Sequence, residues 1–192
     1  MVESPPNGKG GAGGTAPRAR KHGAGRLGVT LAVLVALLGL TGALVLSGRM
    51  TALPGLEVHP EEGRAHVPEG TRVQYASDPP TSGPHYDRGL TPGFYDRPAD
   101  PRVLLHNLEQ GHVVIYYDPR RLSPDDRAAL QAWTQRYRGR WEAVVAVPRP
   151  DPRYAVILTA WRHALRLPAY DDEVVARFID RFRGRGPVNP VR

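Results

Sequence analysis

Apolar and polar residues follow three different rhythms along this chain, and each rhythm predicts a different kind of element. From residue 27 to residue 48 no charged side chain interrupts a run of Leu, Val, Ala and Gly. A helix of that length rises about 33 Å, enough to cross a hydrocarbon core of about 30 Å. The run therefore predicts a single transmembrane helix. A cleaved signal peptide is the rival, but its apolar core spans only about 7 to 15 residues, and no clean small-x-small site follows Val45. An uncleaved anchor is the expectation.

Shorter apolar runs predict strands. Residues 71 to 76 (TRVQYA) alternate, with Val73 and Tyr75 on one side. Residues 113 to 117 (VVIYY) are continuously apolar, β-branched or aromatic, which suits a strand buried on both faces. Residues 142 to 147 and 155 to 161 read as two more strands, joined by the turn-rich PRPDPR.

Helical spacing appears twice. Ser123 is placed to cap a helix with Pro124 at its first position and Asp125 and Asp126 in its positive first turn, after which Leu130, Trp133 and Tyr137 recur on one side. Asp171 or Asp172 starts a last helix with an apolar stripe of Val174, Val175, Phe178, Ile179 and Phe182, ended by Gly184. Between the first two strands, residues 78 to 101 hold six prolines and three glycines, so neither a helix nor a central strand persists there. A loop that long inside a compact domain is more often functional or packed down than idle.

The order is strand, long loop, strand, helix, strand, strand, helix. It predicts an α+β domain, a small mixed sheet with helices packed on one face, preceded by the transmembrane helix; a thioredoxin-like arrangement without CxxC is the alternative. The expected divisions are a disordered basic tail over residues 1 to 26, the anchor over 27 to 48, a Pro- and Gly-spotted stalk over 49 to 62, the domain over 63 to 187, and a tail over 188 to 192.

Charge orients this arrangement. Lys9, Arg18, Arg20, Lys21 and Arg26 precede the apolar run and Arg49 alone closely follows it, which places the N-terminus in the cytoplasm and the domain outside. The net charge of +7 is concentrated in that tail: beyond residue 48 there remain 21 basic against 18 acidic residues. So mild an excess predicts no phosphate-binding stripe, and no nucleic-acid partner is expected. Cysteine is absent, which excludes disulfides, thiolate metal sites and thiol redox chemistry, and the two methionines, Met1 and Met50, offer no soft site for Cu(I).

Three segments carry the candidate chemistry: GRAHVPEGTRVQYASDPPTSGPHY (residues 63 to 86), GFYDRP (93 to 98) and LLHNLEQGHVVIYY (104 to 117). His66, His85, His106 and Glu109 are the residue types that take a borderline divalent ion such as zinc or Cu(II). His106 and Glu109 are three apart, so one turn of helix or a tight loop presents both to one point. The alternative is a purely structural role, in which imidazoles, an amide and a carboxylate satisfy backbone groups of a loop packed on the sheet. A hydrolase reading takes Ser82 as nucleophile, His85 or His106 as base and Glu109 as orienter, but TSGPH lacks the G-x-S-x-G elbow and reads as a turn.

The same segments resemble a bacterial family catalogued as domain of unknown function 3105, over about residues 63 to 187; PPTSGPHY and HNLEQG are its most specific parts. The positions matching the family's motif are His66, Ser82, Gly83, Pro84, His85, His106, Asn107, Glu109 and Gly111. The resemblance implies an anchored or exported bacterial protein and supplies no activity. One position departs: the family commonly has a second His directly after the Glu, where this chain has Gln110, with His112 two residues on. If the family's site uses that imidazole, this chain must manage with Gln110, recruit His112, or lack the function.

Overall fold

The computed structural model describes residues 52 to 188, 190 and 191. The anchor predicted over residues 27 to 48 and the basic tail before it lie outside the described residues. Among the described residues no helix is long and apolar enough to cross a membrane.

The centre is β3 (Val113–Tyr117), in which all five residues are buried. It pairs in parallel with β5 (Glu142–Pro148) and antiparallel with β6 (Val156–Ala160), which turns back into β7 (His163–Leu167). Short edge strands complete the sheet: β1 (Glu57–Val58) lies on β7, β2 (Gly93–Phe94) runs parallel to β5, and β4 (Arg138–Gly139) pairs with β5 off the main path. The order is β1-β7-β6-β3-β5-β2.

Three helices pack on this sheet: α1 (Pro101–Glu109), α2 (Pro124–Arg136) and α3 (Asp172–Phe182). The expected caps form. Ser123 Oγ accepts from the Asp126 amide while the Asp126 carboxylate accepts from Ser123, each at 3.1 Å, and Asp171 accepts from the Val174 amide at 3.0 Å.

Helices on one face only is corrected by the packing. Val113, Ile115 and Tyr117 face α2 and α3, meeting Leu130, Val175, Phe178 and Ile179. Val114 and Tyr116 face the other way, onto Leu104, Leu105 and Leu108 of α1. A strand without polar alternation must be covered on both sides, and α1 is the second cover. Burial of each such large side chain is worth about 1.5–3 kcal/mol, so the α2 and α3 layer, with 17 buried apolar residues against nine, contributes the larger share.

Two further expectations change. Residues 71 to 76 form no strand, because side chains rather than a neighbouring strand take their backbone groups: Arg102 donates to the Thr71 carbonyl and the Ala76 amide donates to Glu62 Oε2. In the segment read as a stalk, Leu53 is buried in the larger core and β1 joins the sheet, so the packed body begins before residue 63.

Candidate metal centre

The site is built where the Pro-rich loop meets α1. A parallel bridge joins the backbones at His66 and His85, with Val67 donating to the His85 carbonyl at 2.8 Å and His85 donating to Ala65 at 2.9 Å. Two imidazoles distant in sequence thereby come to lie side by side, ring centroids 5.0 Å apart. Across from them, α1 presents His106 and Glu109 one turn apart, as their spacing predicts. The helix is started by Asp100, which accepts from the Arg102 amide, and by Pro101, whose missing N–H costs nothing in a first turn.

All four predicted ligands meet. Each offers one atom, and these atoms lie within 4.8 Å of one another. Glu109 Oε2 is the hub, 3.2 Å from His85 Nε2, 3.7 Å from His66 Nε2 and 3.9 Å from His106 Nδ1. Four ligands about 2.0–2.1 Å from a tetrahedral zinc ion would be spaced about 3.4 Å apart, so the shorter contacts already match that figure. Side-chain exposure is 0% for His85, 7% for Glu109 and 12% for His106, against 42% for His66. The cluster is thus closed on three sides and open at His66.

Outer contacts fix the rings. His85 Nδ1 lies 2.9 Å from the Gly83 carbonyl, which can only accept, so Nδ1 carries a proton and the neutral form of the ring turns its Nε2 lone pair to the centre. Gly83 is held at φ +117, and an added Cβ would lie 2.9 Å from the Tyr75 ring; only glycine places that carbonyl there. His66 Nδ1 lies 3.3 Å from Asp87 Oδ1. His106 Nε2 lies 2.7 Å from Gln110 Nε2, an amide nitrogen that donates, so in this arrangement the neutral ring keeps its proton on the buried Nδ1, which has no hydrogen-bond partner and lies 3.9 Å from Glu109 Oε2; turning the Gln110 amide, so that its oxygen accepts from Nε2–H, frees Nδ1 to ligate. Burial pushes the His106 pKa below the ordinary histidine value, aided by His85 and opposed by Glu109, which favours the neutral ring.

The remaining predicted residues surround the centre without entering it. Ser82 is buried, accepting from the Glu62 amide at 3.0 Å and donating to Pro60 at 3.2 Å, so its hydroxyl is spent on backbone rather than on an imidazole. The Pro84 carbonyl accepts from Tyr75 Oη at 2.6 Å. Asn107 clips the loop, its amide exchanging two 2.8 Å hydrogen bonds with the backbone of Leu90. Gly111 turns the chain out of α1 at φ +91, where a Cβ would meet the Trp141 carbonyl at 2.8 Å.

The departure at Gln110 resolves geometrically. Gln110 is no ligand but braces His106 from outside. His112 stays apart, held by Asn107 Nδ2 at 3.0 Å and the Arg140 carbonyl at 2.8 Å, with burial lowering its pKa. Sequence reasoning missed Asp87 as a brace for His66 and Trp161, whose ring stands edge-on 6.2 Å from His85. Asp87 was legible only as the residue two beyond His85; nothing in the sequence pointed to Trp161.

No curated protein and no solved structure matches this chain. The family described as "Protein of unknown function (DUF3105)" matches residues 66–191, a span that begins at the first imidazole of the cluster and takes in all four of its residues, and the chain belongs to that family.

Proposed function

We propose that this protein is a membrane-anchored, extracytoplasmic binding or structural domain of the bacterial cell envelope, organised around one divalent ion, zinc or Cu(II), held by His66, His85, His106 and Glu109. The observation that carries the metal is the 3.2 Å approach of His85 Nε2 to Glu109 Oε2. With Nδ1–H committed to Gly83, the neutral His85 ring turns an acceptor to the Glu109 carboxylate, and the buried pair is satisfied by a positive charge between them, a proton or a metal ion; two further imidazoles converging on the same oxygen favour the metal. Three imidazoles and a carboxylate, with no thiolate, suit zinc or Cu(II).

The anchor rests on the charge-free run over residues 27 to 48 and the basic residues before it. A thioredoxin-like reading of the fold is supported by the succession β3, α2, β5, β6, β7, α3, with β3 and β5 parallel and α2 and α3 on one face. Without cysteine such a fold carries no thiol chemistry.

A second reading, an envelope enzyme using metal-assisted or His/Glu acid-base hydrolysis, is favoured by one observation: the solvent side of His66 is where a water would reach a bound ion. The closed environment of the other three ligands favours a binding or structural centre.

Elemental analysis of the full-length chain, purified without a metal-affinity tag, tests the proposal. About one zinc or copper per chain, lost in His106→Ala, is the expected result. Wild-type protein with no metal, and with melting unmoved by added zinc or Cu(II), would overturn it.

A further inference from the structure

Two segments of like sequence, RYRGRW (residues 136 to 141) and RFRGRG (181 to 186), carry the chain out of α2 and α3 and hold six arginines between them. The fold sets them side by side. Arg183 of the second places its guanidinium over the Tyr137 ring of the first, 4.0 Å from the ring centre, and pairs with Glu142 just beyond. Gly111 backs both segments: its carbonyl accepts from the Gly184 amide at 2.8 Å, and a Cβ added to it would meet the Trp141 carbonyl at 2.8 Å and the Arg185 amide at 3.3 Å. The other five arginines, Arg136, Arg138, Arg140, Arg181 and Arg185, are exposed.

The body's positive charge is concentrated here. Residues 136 to 142 and 180 to 186 set six arginines against Glu142 and Asp180, a net of +4, whereas the whole chain beyond residue 48 has 21 basic against 18 acidic residues. The mild excess of the body is thus an average over one basic surface and a nearly neutral remainder. Cations in a last helical turn offset the carbonyl dipole, which accounts for Arg136 and Arg181; Arg138, Arg140 and Arg185 lie past the helix ends, where that effect has faded. Apolar groups gather at the same place. Tyr137 and Trp141 are half-buried, and of the three large apolar side chains exposed among the described residues two, Val188 and Val191, follow the second segment. The Val191 amide donates to the Gly184 carbonyl at 2.8 Å, which holds that valine beside the arginines.

We propose that this surface docks the body onto the anionic headgroups of a lipid bilayer, an inference that rests on the membrane location proposed above. Guanidinium groups pair with phosphate oxygens through two N–H donors at once and lose their water more readily than an ammonium does. Near an anionic bilayer each basic side chain adds its own attraction, so five exposed arginines act together. Aromatic rings and apolar side chains beside them suit the headgroup layer, which is wet on one side and apolar on the other. A soluble phosphate polymer would leave Val188 and Val191 in water, and a bilayer is the better match.

The test places the full-length chain in lipid nanodiscs and follows backbone hydrogen exchange over residues 136 to 141 and 181 to 188. Adding phosphatidylglycerol to phosphatidylcholine discs is expected to slow exchange in both segments severalfold, and high salt to restore it. Arg138→Glu combined with Arg140→Glu should abolish the slowing, as should Arg185→Glu alone, while Arg153→Glu, an exposed arginine on the loop between β5 and β6, should keep it; melting temperatures read alongside show that each variant folds. Retention of the chain by phosphatidylcholine discs reports the anchor separately. If those discs do not hold the chain the anchor reading fails, and the same comparison made with vesicles still tests the surface. Exchange equal with and without phosphatidylglycerol, or slowing that survives the charge reversals, would overturn the proposal. So would slowing by soluble polyphosphate where phosphatidylglycerol has no effect, since the surface would then take a phosphate polymer.

Discussion

His85 Nε2 and Glu109 Oε2 lie 3.2 Å apart in a nearly water-free setting, and the carbonyl of Gly83 holds a proton on the other ring nitrogen of His85. A neutral imidazole and a carboxylate, which would both be acceptors there, are pressed together by elements that have their own reasons to be where they are. The backbone bridge places His85, and α1, held by Leu104, Leu105 and Leu108, places Glu109. The body of the protein pre-pays the alignment that a cation needs.

Glu109→Gln should separate the two states of the centre. Its amide can donate to the His85 lone pair, which removes the conflict without an ion. Metal-free Glu109→Gln is expected to melt higher than metal-free wild type by the equivalent of about 1–3 kcal/mol. Chelator should lower the melting temperature of the wild type and leave the variant unmoved, as read by calorimetry. A chelator effect of equal size in both proteins would contradict this.

Gln110 and His112 give opposite expectations. Gln110 braces His106 from behind, and loss of such an outer partner typically weakens metal binding about 10- to 100-fold. Gln110→Ala should show that loss in competition with a chromophoric chelator. His112→Ala should keep the affinity within a few-fold yet lose about 2 kcal/mol of stability, because the Arg140 carbonyl and Asn107 amide lose a buried partner. If His112→Ala abolished binding and Gln110→Ala did not, the roles assigned here would be reversed.

The ligand types were legible in the sequence, and so was the pairing of His106 with Glu109, because a spacing of three is a local property. The meeting of His66 with His85 was not, since it depends on a single bridge between two irregular segments. The same distinction runs through the fold. α2 and α3 carry caps and long stripes and were readable, whereas α1 has only nine residues and follows a stretch whose prolines masked it. β7 was missed because HALRL is short and half polar, and its partner β6 rather than its own pattern makes it a strand. Residues 71 to 76 failed the other way: their alternation is real, but no strand lies beside them.

Asn107 ties the loop to α1 through its two bonds to Leu90 and through His112, so Asn107→Ala leaves a backbone amide, a carbonyl and an imidazole short of partners. A loss of about 3 kcal/mol is expected. The amide of Leu90 should exchange with solvent much faster, and Asp87, three residues before it, should brace His66 less well. Hydrogen exchange read at Leu90 checks the first; unchanged protection there would show that the loop is held elsewhere.

Asp118 follows β3 and makes stability depend on pH on the acid side. Its buried carboxylate accepts from the Arg120 side chain at 2.9 and 3.1 Å and from the amides of Arg120 at 2.9 Å and Asp151 at 3.1 Å. Those donors, the Arg120 guanidinium first, hold its pKa well below the usual carboxylate range against the opposing effect of burial. A carboxyl whose folded pKa is depressed stabilises the fold fully above its unfolded value, about 3.9, and the contribution fades as pH falls towards the folded value. Asp118→Asn should therefore cost about 2 kcal/mol at pH 7, where the wild-type carboxylate is charged. The gap in melting temperature between variant and wild type should narrow steadily from about pH 5 to pH 2, because protonation makes the wild type resemble the amide. A gap as wide at pH 2 as at pH 7 would mean that Asp118 acts through shape alone, with its charge making no contribution.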